Sequence, residues 1–179
     1  APTIAAREAM CAQVQADTGG RSVHPYTDPA VIAGQGTAAL ELLSAQPDLD
    51  ALVVPLGGGG LAAGTALAMQ ALAPSCRLYL AEPSGAADGA RSFARGVLDH
   101  EVVPNTICDG LRGTLGAINF DMLRAADAQV LTVDDAQTLA ALPAVQQNRA
   151  LFEGRKVGVI LSGGNVDLDT LPALLASPA

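Results

Sequence analysis

Tryptophan is absent from this chain, and aromatic residues make up only 3% of it. Half of the residues are hydrophobic, so a core has to be assembled from Ala, Val, Leu and Ile rather than from rings. That balance suits buried parallel strands covered by helices. Basic residues are also scarce: 10 Lys and Arg against 18 Asp and Glu leave a net charge of -8. A chain of that sign repels phosphate backbones and anionic lipid, and no basic run or aromatic ladder offsets it, so neither nucleic acid nor a membrane surface is an expected partner. Cysteine is limited to Cys11, Cys76 and Cys108, widely spaced and odd in number. These read as free structural thiols in a reducing compartment. No apolar run approaches the roughly 20 residues of a membrane span, and no basic start followed by an apolar block marks a signal peptide. The expected location is cytoplasmic. The chain begins at Ala1 without a methionine, so an upstream segment is expected.

What is present alternates helix and strand within a length, 179 residues, that suits one domain. Helical spacing covers residues 3–17 and stops at Gly19-Gly20. Residues 22–26 suggest a short strand. Asp28-Pro29 provides a cap and a first-turn proline for one helix through residue 45. Residues 51–56 (ALVVPL) form an apolar strand buried on both faces, followed by four glycines and a helix over 61–73. A second strand is expected at 77–81 and a helix at 86–95. The stretch 96–116 is loop-rich. It leads to a helix at 118–126, a strand at 129–133, a helix capped by Asp134 and interrupted or bent at Pro143, a last strand at 156–161 and a final helix near Asp167. Strands joined by helices of this length imply right-handed crossovers and a mostly parallel α/β sheet.

Gly57, Gly58, Gly59 and Gly60 lie between a buried strand and a helix. One or two glycines satisfy a tight turn; four suggest that backbone amides and a positive helix end approach an anion closely. A nucleotide-triphosphate loop needs Gly-Lys-Ser or Gly-Lys-Thr at its end, and Leu61-Ala62 stand there instead. A dinucleotide fold remains open, because Gly57, Gly59 and Ala62 fit the loose G-x-G-x-x-A form and Glu82, ending the next strand, would take the ribose hydroxyls.

Two other turns carry polar groups. Glu82 and Asp88 flank Pro83 and Gly85 and offer the carboxylate and carbonyl oxygens that hard cations prefer, or else are a strand-end polar group and a helix cap. Ser162-Gly163-Gly164-Asn165 ends the last strand, where a hydroxyl would meet a ring nitrogen or where the chain simply turns. His24 and His100 have no ligand-spaced partner and read as surface or structural. Gly34-Gln35-Gly36-Thr37 either backs the ligand turn or permits close helix packing.

The motifs HPYTDPAVIAGQGTAALELL (24–43), LDALVVPLGGGGLAAG (49–64), AEPSGAAD (81–88), ICDGLRGTLG (107–116) and VGVILSGGNVDL (157–168) together resemble the serine racemase and threonine/serine dehydratase family, in one consistent order over most of the chain. The resemblance implies a fold-type-II pyridoxal-phosphate enzyme, tryptophan synthase beta-like: an open three-layer α/β fold with a mostly parallel sheet and helices on both faces. Residues 1–20 would be the end of a small domain and residues 21–179 part of the large cofactor-binding domain. It implies that amides of Gly57, Gly58, Gly59, Gly60 and Leu61 hold the cofactor phosphate and that Ser162 faces the pyridine nitrogen. It also places a divalent cation, Mg2+ or Ca2+ or Mn2+, on Glu82, the carbonyl of Ala86 and Asp88. Asp109 and Gly110 match a loop near the ring, and a homodimer is implied.

The departures are specific. The family joins its cofactor to a lysine early in the chain, whereas Lys156 is the only lysine here. It precedes Ser162 by six residues, an extended path of roughly 20 Å. The small-domain serine base, the asparagine loop for the cofactor hydroxyl, and a Glu-Pro-Ser/Thr-Ala-Gly-like segment between Asp135 and Lys156 are also missing, so segments of the parent sequence are expected to be absent. Three functions follow: a dehydratase (ammonia-lyase) or racemase of serine- or threonine-type amino acids, an NAD-binding oxidoreductase domain, or a non-catalytic fragment that binds the cofactor.

Overall fold

The computed structural model describes residues 4–99, 101–134, 141–163 and 169. Helix α1 (Ile4–Thr18) comes first, and the side chains at 6–18 are all exposed. Asp28 then caps α2 (Pro29–Gln35), its Oδ1 accepting the Ala30 N–H at 2.9 Å with Pro29 in the first turn, where no backbone donor is needed. The single helix expected through residue 45 breaks at Gly36, and α3 (Thr37–Ala45) follows. The break lies where two backbones nearly touch: a β-carbon on Gly36 would sit 2.6 Å from the Gly64 carbonyl oxygen, so within Gly34-Gln35-Gly36-Thr37 it is Gly36 that permits close helix packing, while Gly34 is exposed.

Strand β1 (Ala51–Pro55) is buried at every residue. Its side chains alternate between two cores, as the period of a strand requires. Leu52 and Val54 join Leu78, Leu80, Ala62, Phe120 and Leu123 on the face covered by α3, α4 (Gly60–Leu72) and α6 (Ala117–Ala125). Ala51 and Val53 join Tyr79, Ala144 and Phe152 on the face covered by α7 (Ala141–Gln147) and α8 (Arg149–Phe152). Each fully buried Leu or Val contributes about 1.5–3 kcal/mol. Tyr79 meets Phe152 edge-on at 4.9 Å, which adds about 0.5–1.5 kcal/mol. Few rings are needed because the helices approach through Ala and Gly.

β1 pairs in parallel with β2 (Arg77–Pro83) and with β4 (Val157–Val159), and β2 with β3 (Gln129–Val133). The strand order is β3-β2-β1-β4. The chain therefore runs outward from β1 to β3 and returns to the opposite side of β1. Between β1 and β4 the direction reverses, and α4, which follows β1, lies on the opposite face from α7 and α8, which precede β4. The carboxyl ends of the strands beside such a reversal are where open α/β sheets take their ligands.

The α/β class, the parallel sheet and helices on both faces agree with the sequence-based expectation. The strand expected at 22–26 is instead a turn: His24 Nδ1 accepts the N–H groups of Tyr26 and Thr27 at 3.4 and 3.2 Å, which bends a segment whose Val and Tyr suggested extension. The helix expected at 86–95 is split into a 3-10 turn at Ser84–Ala86 and α5 (Asp88–Arg95). Pro143 falls in the first turn of α7, where its missing N–H removes no helical bond. His100, Asp135, Gly164, Asn165 and the helix expected near Asp167 lie outside the described residues.

Candidate anion-binding site at the carboxyl edge

β1 ends at Pro55 and the four glycines carry the chain into α4. The turn has no side chains because there is no room for them. A β-carbon on Gly58 would stand 2.5 Å from the Tyr26 ring, one on Gly60 2.9 Å from Tyr26 Cβ, and one on Gly57 3.0 Å from Leu111 Cα. Gly59 is the helix cap, at φ +90° and ψ 0°, a left-handed conformation that suits glycine. No side chain caps this 13-residue helix. The N–H groups of Gly57, Gly58, Gly59, Gly60, Leu61 and Ala62 meet no acceptor among the described residues, although Gly57, Gly59 and Gly60 are buried. Buried backbone donors are nearly always paired, and a helix start with unpaired donors and the positive end of its dipole favours an anion. The donor set therefore fits a phosphate.

Residues behind the turn hold it in shape. Tyr26 lies against Gly58 and Gly60, its ring meets His24 edge-on at 4.5 Å, and its hydroxyl pairs with Thr114. Burial is the main reason the Tyr26 phenol titrates above its ordinary range. Leu115 and Asn119 pack against Gly59, and the Gly116 N–H donates to the Gly58 carbonyl at 3.1 Å. The turn Asp109–Leu111 lies on Gly57, which brings Gly110 and Leu111 to the site, while the Asp109 side chain is exposed and paired with Arg112. Tyr26, Leu115 and Asn119 were not singled out by sequence reasoning. Only the conspicuous HPYTDP motif hinted at Tyr26.

The acidic pair lies deeper. Glu82 is 1% exposed and Asp88 3%. Glu82 caps the start of α5, its Oε1 accepting the Gly89 N–H at 2.8 Å and its Oε2 the Ala90 N–H at 2.7 Å. Asp88 Oδ2 accepts the Leu115 N–H at 2.7 Å. Burial raises both carboxyls above their ordinary values, Glu82 to about 7. The amides lower Glu82 in part, and repulsion from Asp88 raises it further. At 1% exposure Glu82 is a buried cap of α5 and not an exposed strand-end acid, which argues against the dinucleotide reading, where it would face ribose hydroxyls. Among the described residues no group of three or more His, Cys, Asp and Glu is gathered around a metal. Two carboxylates and the buried Ala86 backbone are what the cluster offers, and oxygen donors suit a hard cation.

Ser162 follows β4 and is exposed, and Gly163 turns the chain at φ +83°. The Ile160 N–H bonds to the Val53 carbonyl at 2.9 Å, so the parallel register carries β4 toward the edge where β1 ends. Lys156 lies at the other edge, before β4. Its Nζ pairs with the Asp48 carboxylate and its N–H with Asp50 Oδ2 at 2.7 Å. Among the described residues no cysteine is in a disulfide; Cys11 is exposed and Cys76 buried. No helix among the described residues is long and apolar enough to cross a membrane.

The family model "Pyridoxal-phosphate dependent enzyme" matches residues 2–164. The chain is 41% identical to the beta-hydroxyaspartate dehydratase of Paracoccus denitrificans, over 96% of this chain and 60% of that protein. It superimposes on maize serine racemase with a TM-score of 0.85 at 39% identity, covering 96% of this chain and 59% of the other. The threonine deaminase of T.th. gives 0.84 at 35% identity, covering 92% and 61%. The chain thus spans about 60% of the length of these relatives.

Proposed function

This chain belongs to the pyridoxal-phosphate dependent enzyme family, and from that premise we propose that it is the cofactor-holding part of a dehydratase (ammonia-lyase) for a serine-, threonine- or 3-hydroxyaspartate-type amino acid. Ammonia and a 2-oxo acid are the products. The observation that carries this is the row of unpaired amides at 57–62, set at the switch point of the sheet and at an uncapped helix start. Relatives named as dehydratase and deaminase support the reaction class. Racemisation at the same α-carbon is the second reading, supported by the likeness to maize serine racemase.

When bound, the cofactor supplies an electron sink for the substrate α-carbon. The chain's own residues bind and orient it. Amides of Gly57, Gly58, Gly59, Gly60 and Leu61 take the phosphate, and the α4 dipole stabilises its charge. The hydroxyl of Ser162 gives the pyridine nitrogen a neutral hydrogen-bond partner. That tempers the electron sink relative to a carboxylate partner and suits elimination. Gly110 and Leu111 close one side of the turn. The α-proton needs a base from outside these residues, because Lys156 is held by Asp48 at the opposite edge. A lysine from sequence beyond the 179 residues is therefore part of the proposal.

The acidic cluster completes it. Glu82, Asp88 and the Ala86 carbonyl hold Mg2+, Ca2+ or Mn2+, whose charge relieves the repulsion between two buried carboxylates. A cation there stiffens the 115–119 segment behind the glycine turn through the Asp88–Leu115 bond. A homodimer is the proposed assembly, to be read from the mass in solution by light scattering. The test of the function is to incubate the intact protein with pyridoxal phosphate and L-serine, L-threonine or threo-3-hydroxyaspartate, and to measure ammonia and 2-oxo acid. Release in equal amounts supports elimination. Inversion of serine without ammonia selects racemisation, and no turnover of any of the three overturns the proposal.

A further inference from the structure

The Gly58 carbonyl is held by two donors. Asn119 Nδ2 reaches it at 2.6 Å and the Gly116 N–H at 3.1 Å, both from the start of α6. The second Nδ2 proton goes to the Tyr26 carbonyl at 2.9 Å. Both partners are carbonyl oxygens, which only accept, so the side-chain amide has its nitrogen inward. Asn119 is fully buried, and its Oδ1 has no partner in the structure. A buried acceptor without a partner costs stability, so packing alone is a poor reason for an asparagine here. The two carbonyls it bridges supply a better one.

A trans peptide points its C=O and its N–H in opposite directions. Holding the Gly58 oxygen toward α6 therefore aims the Gly59 N–H away from α6. Glycines on both sides of that peptide leave its plane soft, and no side chain at residue 58 or 59 can set it. The anchor has to come from elsewhere in the chain, and Asn119 supplies it across 61 residues of sequence. We propose that Asn119 is a positioning residue for anion binding: it fixes the 58–59 peptide so that the Gly59 N–H faces the phosphate. This rests on the reading of the glycine turn as the phosphate site and adds a residue that acts on that site from behind.

Inorganic phosphate is the probe, titrated by calorimetry into intact protein freed of bound cofactor by hydroxylamine and dialysis. Asn119→Ala is expected to weaken phosphate binding about tenfold, the scale of one lost hydrogen bond to a charged group. Leu123→Ala removes a fully buried side chain one turn further along the same helix. It is expected to lower the melting temperature while leaving phosphate affinity within about twofold, since it touches only the core. In nitrogen-15 spectra the Gly59 amide proton should move downfield on phosphate addition in the native protein, and less so in the variant. If Asn119→Ala does not fold, Asn119→Ser, too short to reach both carbonyls, carries the same expectation. Unchanged affinity and an unchanged Gly59 shift in a folded Asn119 variant overturn the positioning role and leave the phosphate site standing. Failure of the native protein to bind phosphate overturns both.

Discussion

Replacing Gly59 by alanine strikes the turn at its tightest point. The residue holds φ +90°, so the new side chain enters a left-handed conformation that costs about 1–2 kcal/mol. Its β-carbon would lie 2.7 Å from Leu115 Cδ1 and 2.9 Å from Asn119 Cβ, against a comfortable carbon separation of about 3.5–4.0 Å. Leu115 can rotate its methyl aside. Asn119 cannot yield as easily, because its amide is tied to the carbonyls of Tyr26 and Gly58. Forced accommodation of this kind costs about 1–3 kcal/mol, so the total is about 2–5 kcal/mol. In urea, with a slope of about 2 kcal/mol per molar, the midpoint should fall by about 1–2.5 M. Gly34→Ala is the control: it is an exposed helical position with nothing within 4 Å of the new carbon, and it should gain about 0.5–1 kcal/mol. A Gly59→Ala midpoint within about 0.2 M of the native one would refute the packing argument, since about 0.4 kcal/mol is below either contribution.

Three other outcomes are expected. In chelator-treated protein, stability should fall by about 3 kcal/mol as pH rises from 4.5 to about 7. The sign follows from Glu82, which binds its proton more tightly folded than unfolded; its contribution is full below the unfolded value near 4.5 and is lost as pH rises through about 7. Urea titrations across that range should show the slope, and Glu82→Gln should flatten it. Gly64→Ala would place a carbon 2.3 Å from the Ile32 carbonyl oxygen, a backbone contact that can relax only by separating α2 from α4; a melting temperature unchanged within error would contradict that packing. Cys11, exposed, should react with a thiol reagent at once, while Cys76, buried and with its thiol pushed up by burial, should react only on unfolding; mass mapping after a short exposure distinguishes the two.

Much of the architecture was legible because its signals are local. The apolar run at 51–56 identified β1, the strand at 129–133 fell where expected, and Asp28-Pro29 marked the start of a helix. Misread segments were those decided by a tertiary partner or a side-chain bond. Residues 22–26 carry strand-like Val and Tyr but turn around the His24 imidazole. The helix over 28–45 breaks where Gly36 meets Gly64, a contact that no periodicity announces. At the site, the glycine row declared itself because four glycines exceed what a turn requires. Asn119 did not, because its meaning depends on Gly58 and Tyr26, 61 and 93 residues away. Glu82 was visible as a strand-end acid, and its burial, which separates a cap from a ribose ligand, became clear only in the folded chain.

The most direct measurement is a crystal structure of the intact protein grown with pyridoxal phosphate. Phosphate oxygens within hydrogen-bond reach of the amides of Gly57, Gly58, Gly59, Gly60 and Leu61 are the expected result. A phosphate seated elsewhere, with those amides turned to protein acceptors, would contradict it.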